Sequence, residues 1–493
     1  MTDVDESSKA AKRNRSQSSV AVRNFIGGRF TAAASGTTIP DIEPGTGEVM
    51  ASVPDSDERD IENAVSAARQ AFRAWSNTPA AERSAMLLRL GDLIEGNLEE
   101  LARLEARDGG KPISLARRLD IPRAAANFRF FATAILHQST EAHSTDGTAL
   151  NYTLRQPVGV AGLISPWNLP LYLLSWKIAP AIAAGNTCVA KPSEFTPLTA
   201  HRLAELSLEA EIPPGVINIV HGHGQKAGRA LVRHPDVPLL SFTGGTVTGA
   251  GVAANAAPMF KKLSLELGGK NPNILFADAD LEEAIATSIR SSFWNQGEIC
   301  LCGSRIFVER AVFDAFLDGF VEATKRLRVG DPLDETTDVG ALISEAHLQK
   351  VSGYLEIAQK EGGTIHTGGK RVDRPGFFVE PTVITGLSCD SDVLQDEIFG
   401  PVVTVTPFDS EEEALALANG TRYGLSATVW TRDLRRAHRV AAALDSGTVW
   451  INCWLLRDLR VPFGGMKESG VGREGGFESL NFFTEPKNVC VKL

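Results

Sequence analysis

No apolar run in this 493-residue chain is clean enough to cross a bilayer. The longest, Leu171 to Ala190, is broken by Lys177, Pro180 and Gly185-Asn186, whereas a spanning helix needs about 20 consecutive, mostly apolar residues. Basic charge is not in excess: 50 Lys and Arg against 60 Asp and Glu leave a formal net charge of −10. That balance favours solubility and argues against nucleic-acid binding. Cysteine is sparse, with six residues, at 188, 300, 302, 389, 453 and 490. Their spacing makes no disulfide framework, so a reduced, cytoplasmic setting is expected. Cys300-Leu301-Cys302 has no second Cys or His pair nearby, so no metal is expected. Internal repeats are absent. Residues 1–20 are rich in Ser, Lys, Arg and Asp and lack the apolar core of a signal peptide, so a disordered N-terminal extension is expected there.

The remainder has an ordinary globular composition, 43% hydrophobic and 22% charged, and is long enough for two or three domains. Asn24 to Phe30 reads as a hairpin with Gly27-Gly28 at its turn. Residues 57–75, 81–108 and 120–131 have helical periodicity, Pro122 being tolerated in a first turn. Residues 151–155 alternate like an edge strand. From Pro157 strands alternate with helices: strands at 158–164, 187–190, 216–220 and 239–242, helices at 199–211 and 226–233. This alternation implies an α/β fold with a doubly wound parallel sheet, which binds ligands at the carboxyl ends of its strands. A second α/β region follows from about Leu265. Its strands are expected at 272–276 and 304–308, and its helices at 281–293, 311–328, 345–361, 411–419 and 434–444. The tail from Asn488 to Leu493 is strand-like.

Three stretches carry chemistry: Asn295-Gln296-Gly297-Glu298-Ile299-Cys300, Leu265-Glu266-Leu267-Gly268-Gly269-Lys270, and Pro166-Trp167-Asn168-Leu169-Pro170. They offer a thiol, a carboxylate and a side-chain amide. In their order along the chain they resemble the aldehyde dehydrogenase superfamily, from about Asn24 to Leu493. An aldehyde carbon releases hydride only after a nucleophile has added to it, and a thiolate does this well, giving a thiohemiacetal and then a thioester. Cys300 is the expected nucleophile by its context and its match to the family's Gln-Gly-Gln-x-Cys motif. Glu298 stands where Gln is common and Cys302 where Ala is frequent. The Asn168 side chain and the Cys300 N–H are the expected oxyanion donors. Glu266, in an apolar strand-like run, is the expected general base, its pKa raised by desolvation. Its presence favours hydrolysis over acyl transfer to coenzyme A.

Phe242-Thr243-Gly244-Gly245-Thr246-Val247-Thr248-Gly249 reads as strand, glycine turn and helix start, suited to a pyrophosphate. Gly244, Gly245 and Gly249 match the family's variant of the fingerprint. The resemblance further implies that Lys191 and Glu194 hold the adenosine ribose. It also implies that Ser165 and Trp167 border the cofactor and that Glu397 and Phe399 meet the nicotinamide ribose and ring. A carboxylate at Glu194 disfavours a 2′-phosphate, so NAD is the expected cofactor. For the domains the resemblance implies an NAD-binding domain (21–135 and 158–265), a catalytic domain (266–465) and a small β oligomerisation domain (136–157 and 476–493), with a homodimer or homotetramer expected. No nucleic-acid or membrane partner is expected.

Aligned with the family's substrate tunnel, Arg123 and Arg457 fall on opposite walls, with Leu169 and Trp176 also lining it. Two arginines suit a carboxylate, unless each is instead a surface residue paired with Asp120 or Asp458. The strings Asp120 to Arg123, Asn452 to Arg457 and Pro462 to Lys467 are closely similar to the muconic semialdehyde dehydrogenases. That similarity implies a carboxylate-bearing semialdehyde substrate, with 2-hydroxymuconate-6-semialdehyde, an intermediate of aromatic ring breakdown, expected ahead of the 2-amino compound. The alternatives are a succinate-semialdehyde-type enzyme and a catalytically silent relative. A cationic aldehyde such as betaine aldehyde is disfavoured by two arginines.

Overall fold

The computed structural model describes residues 20–493. The expected disordered extension lies outside these residues, except for Val20, which pairs with Ala51 in a short strand. The hairpin of Asn24–Ile26 and Arg29–Thr31 forms as expected, with Gly27 and Gly28 at φ +58° and +79°.

Five strands form the parallel centre of an eight-stranded sheet. Across the sheet they run Lys262–Glu266, Leu239–Thr243, Val160–Ile164, Thr187–Lys191 and Ile217–Ile219. Chain order reverses between Val160–Ile164 and Leu239–Thr243, which are neighbours, so a crevice opens beyond their carboxyl ends. These strands are almost wholly buried because helices cover both faces. Alternation along them sends Val160 and Val189 into one core with Ile61, Val65 and Ala68 of the helix Glu58–Asn77. Ala161, Leu163 and Ala190 go to the other core, with Leu171, Leu174 and Ile178 of the helix Pro170–Ala183.

A second sheet has seven strands: Thr364–Thr367, Thr382–Thr385, Val402–Phe408, Arg305–Glu309, Pro272–Leu275, Ser426–Trp430 and Thr448–Ile451, in that order. All its pairs are parallel except the first. Residues 267–271 lead from the first sheet into the second, which places Glu266 at the end of one and Cys300 just before a strand of the other. The helices Leu281–Phe293 and Glu411–Asn419 span the residues expected of them. The short strand Gly470–Val471 returns to cover the edge strand Lys262–Glu266, pairing antiparallel with it.

Three expectations are corrected. The single helix over 81–108 is two helices, Ala80–Gly96 and Leu98–Gly109. They part at Asn97, whose side chain donates to the Leu93 carbonyl at 2.8 Å, the competition with the helix ladder typical of Asn next to a weak helix former such as Gly96. The helix expected at 226–233 opens as a π turn, Gly224–Gly228, before Arg229–Arg233. The segment 151–155 is not an edge: Ala149–Pro157 is the middle strand of an antiparallel sheet, between Thr484–Lys492 and Ala142–Thr145. Its neighbour Ala-His-Ser-Thr lacks apolar alternation, so periodicity could not reveal it. Among the described residues, no helix is long and apolar enough to cross a membrane.

Candidate active site

The helix Leu281–Phe293 ends in a tight turn in which Asn295, Gln296 and Gly297 all have positive φ (+52°, +46° and +75°). Residues with a side chain are strained in this left-handed region and persist there only when held. Asn295 Nδ2 donates to the carbonyls of Asn168 and Glu298, both at 3.0 Å. Gly297 sits so tightly that an added Cβ would lie 2.2 Å from the Gly400 carbonyl oxygen. Downstream, Asn271 Nδ2 donates to the carbonyls of Cys300 (2.7 Å) and Cys302 (2.9 Å). Trp454 Nε1 holds the Leu301 carbonyl at 3.0 Å. Four separate segments, at Asn168, Asn271, Gly400 and Trp454, therefore grip the cysteine loop.

Cys300 lines a cavity of about 310 Å³ together with Glu266, Arg123, Arg457, Leu169 and Trp176. Burial, followed by the charges of Glu397 and Glu266, pushes its thiol well above the ordinary range, and Arg457 opposes that shift. Cys302 does not line this cavity. It is buried, its thiol pushed up to about 12 chiefly by desolvation.

Glu266 ends its strand as a 4% exposed carboxyl, with neither oxygen hydrogen-bonded among the described residues. Burial, then the nearby Glu474 charge, raises its pKa well above the usual range, against Lys177, Arg457 and Arg473. An unpaired buried carboxyl is costly, and functional sites are where such groups are kept. Behind it, Lys177 meets Glu474 at 3.0 Å and Ser241 Oγ at 2.8 Å.

Asn168 is 4% exposed. Its Nδ2 donates to the Glu298 carbonyl at 2.9 Å, and its own carbonyl accepts from Lys111 Nζ at 2.9 Å. An amide nitrogen carries two hydrogens, so one contact fixes the group and leaves a second donor. The Cys300 N–H has no acceptor among the described residues.

On the cofactor side, Lys191 and Glu194 pair at 2.8 Å, and Glu194 also faces His223 at 3.5 Å. Glu194 borders a groove of about 840 Å³ with Phe242, Val247, Thr248 and Val252. Gly245 precedes the helix Thr246–Ala256 with no side-chain cap, and nothing stands within 4 Å of where its Cβ would be. Its backbone N–H groups are thus open to an anion. Gly249 does different work: a Cβ there would lie 2.4 Å from Leu267 Cδ2, so glycine lets the helix pack on the sheet. Buried hydroxyls of Ser165, Thr243 and Thr246 lack partners among the described residues. Glu397 Oε1 accepts from the Gly269 N–H at 2.9 Å, and Phe399, at φ +62°, packs edge-on to Trp167 with centroids 5.3 Å apart. Unpartnered hydroxyls, an uncapped helix start and a carboxylate-lined groove fit a dinucleotide.

Arg123 lies on the helix Ile121–Ala134, with its guanidinium 5.1 Å from the Tyr172 ring centroid and 5.2 Å from that of Trp176. Its Nε donates to Asn127 at 3.0 Å, while a buried terminal nitrogen has no partner. Desolvation lowers its pKa. Arg457 stacks over Phe463 at 4.0 Å. Neither arginine forms an ion pair among the described residues: Asp120 is bound by Lys111 and Asp458 by Arg460. Sequence reading missed Tyr172, Phe463, Lys177, Glu474 and Asn271. Of these, only Lys177, a charge inside an apolar run, left a signal.

A doubly wound dinucleotide-type sheet whose strand ends meet a caged thiol defines a nicotinamide-dependent oxidoreductase architecture. The chain belongs to the aldehyde dehydrogenase family, whose profile matches residues 30–489. It is 57% identical over 480 residues to the 2-aminomuconic semialdehyde dehydrogenase of Danio rerio, an alignment covering 96% of this chain and 98% of that protein. It is 48% identical to the 2-hydroxymuconic semialdehyde dehydrogenase of Pseudomonas sp. (strain CF600), covering 96% and 99%. The NAD+ complex of an aldehyde dehydrogenase from Bacillus cereus superposes with a TM-score of 0.95 at 43% identity, covering 96% of this chain and 97% of that one.

Proposed function

We propose that this chain is an NAD-dependent dehydrogenase that oxidises a carboxylate-bearing muconic 6-semialdehyde to the dicarboxylic acid. The observation that carries the substrate class is the pair of arginines, Arg123 and Arg457, on the walls of the Cys300 cavity, neither of them in an ion pair among the described residues. Cys300 adds to the aldehyde carbon, and the oxygen that becomes an oxyanion is stabilised by the Asn168 amide and the Cys300 N–H. Cys300 reacts as the thiolate, and Glu266 later takes the proton of the water that attacks the thioester. Bound NAD supplies the hydride acceptor. Lys191, Glu194, Ser165, Trp167, Glu397 and Phe399 would hold it, with its pyrophosphate at Gly244-Gly245. Leu169 and Trp176 wall the substrate.

Relatives named for the 2-amino substrate range over 47–57% identity, and those named for the 2-hydroxy substrate over 45–48%. The upper end of the first range supports the 2-amino compound as a second reading beside the 2-hydroxy one, while the overlap at 47–48% keeps the 2-hydroxy reading. Steady-state kinetics with both muconic semialdehydes, succinate semialdehyde and a neutral aldehyde test the assignment. An advantage in kcat/KM of roughly 100-fold, about 2.7 kcal/mol, is expected for a muconic substrate, and a flat profile removes the substrate class. Arg123→Ala with Arg457→Ala should raise KM for carboxylated semialdehydes by roughly 100-fold and leave a neutral aldehyde within a few-fold, as expected for loss of a charge-assisted contact. Equal effects on both would show that the arginines do not bind the carboxylate.

The domain division follows the same reading: residues 21–135 and 158–265 bind the cofactor and 266–465 carry the catalytic cysteine. Segments 136–157 and 476–493 mediate assembly into a homodimer or homotetramer. In support, Ala149–Pro157 and Thr484–Lys492 build a sheet with Leu150, Leu154 and Val491 exposed. A cytoplasmic location fits the free cysteines.

A further inference from the structure

The Cys300 loop and the Glu397–Phe399 segment come from distant parts of the chain, yet one helix ties them together. Glu298 is fully buried. Its backbone carbonyl accepts from the Asn168 amide at 2.9 Å. Its side chain reaches the other way: Oε1 accepts from the Ile343 N–H at 3.1 Å, and Oε2 from Gln296 Nε2 at 3.1 Å. Ile343 immediately precedes Ser344, the N-cap of the helix Glu345–Lys360, whose hydroxyl accepts from the His347 N–H at 3.2 Å. From the first turn of this helix, His347 Nε2 donates to the Phe399 carbonyl at 2.6 Å, and Glu298 Oε1 stands 3.6 Å from that nitrogen. One turn on, Lys350 Nζ donates to the Glu397 carbonyl at 2.8 Å. Val351 then closes the face: a Cβ on Gly400 would lie 2.7 Å from its Cγ2. The helix thus seats residues 397–400 by two side-chain donors and one apolar contact. Glu298 fixes where that helix begins.

Phe399 needs this seat. Its φ of +62° is unfavourable for a bulky residue. Trp167 packs against both Phe399 and His347, with centroids at 5.3 and 5.5 Å. Burial lowers the His347 pKa to about 4, so the ring is neutral at neutral pH and has a single N–H to give.

We propose that Glu298 and His347 are a positioning pair that locks the Cys300 loop to the Phe399 segment, so that thiol, oxyanion donor and nicotinamide face keep one spacing. This rests on the reading that Phe399 meets the nicotinamide. The variants His347→Phe, His347→Gln, Glu298→Ala and Phe399→Leu separate the possibilities. Three quantities are measured: NAD affinity from quenching of tryptophan fluorescence, the single-turnover hydride burst, and alkylation of Cys300 by iodoacetamide without NAD. His347→Phe keeps the ring against Trp167 but has no donor. It should weaken NAD binding and slow the burst by about tenfold each, the effect of one buried hydrogen bond, and leave alkylation within about twofold. His347→Gln restores a donor and should recover most of both losses. Adding Glu298→Ala to His347→Phe should cost less than the product of the single effects, because the two act through one helix start. A His347→Phe protein with unchanged affinity and burst, where Phe399→Leu impairs both, overturns the pair. So does a strictly multiplicative double variant. If Phe399→Leu leaves both unchanged, the placing of Phe399 at the nicotinamide fails instead.

Discussion

Cys300→Ala protein is expected to lose dehydrogenation of every aldehyde, by roughly 10⁴-fold or more, about 5.5 kcal/mol of transition-state stabilisation. It still binds NAD. Without a thiol no tetrahedral adduct forms, and an aldehyde carbon has no comparable route to giving up hydride. The cavity offers no second nucleophile of this kind: Cys302 lies in the same loop but does not line it. Cys302→Ala should therefore keep turnover within a few-fold. NAD affinity survives because the groove around Glu194, Phe242 and Val247 is built by the first sheet and its helices, away from the loop. Absorbance at the reduced-nicotinamide band measures the chemistry, and fluorescence titration measures binding. Normal turnover in Cys300→Ala would remove it as the nucleophile.

Glu266→Ala gives a different pattern: a burst of reduced cofactor close to one per active site, then steady turnover lowered about 10²- to 10⁴-fold, the usual worth of a general base. Hydride leaves before water is needed, so acylation can proceed while the thioester waits. The pH dependence follows from the raised carboxyl. Only the ionised form accepts a proton, and burial and Glu474 hold the group protonated above the normal carboxylate range. Turnover of the native enzyme should fall as pH drops through that raised value and recover above it. The Cys300 thiol, also raised, sends the burst in the same direction. In Glu266→Ala the part of the pH profile owed to hydrolysis should vanish while the thiol-dependent part stays. A native-like steady rate, or an unchanged profile, would assign water activation to another group.

The strand–helix alternation after Pro157 predicts a doubly wound sheet because period-2 and period-3.6 patterns are local. The four strands read at 158–164, 187–190, 216–220 and 239–242 appear within two residues of those bounds. Cys300, Glu266 and Asn168 were legible for a related reason: each lies at a strand end or glycine turn, where a polar residue among apolar neighbours stands out. The break at Asn97 was missed since Leu, Glu and Arg continue the helical period on both sides of it. The sheet position of Ala149–Pro157 was missed because pairing partners are chosen across 327 residues, from Thr484 to Pro157, and not by the strand's own pattern.

Short motifs and their resemblance to a known family were enough to point to the family and to thiol chemistry, and strand–helix alternation to the dinucleotide-type sheet, because these depend on residue types at fixed local spacing. That Arg123 and Arg457 escape Asp120 and Asp458 and face one cavity was decided only by the fold. So was the placing of Cys300, and not Cys302, on the wall of that cavity, and so was the link from Glu298 through His347 to Phe399. Each depends on which atoms are close after segments more than 40 residues apart have packed, and on how much water that packing excludes. Pair distances and desolvation are properties of the folded chain, and no local window of sequence contains them.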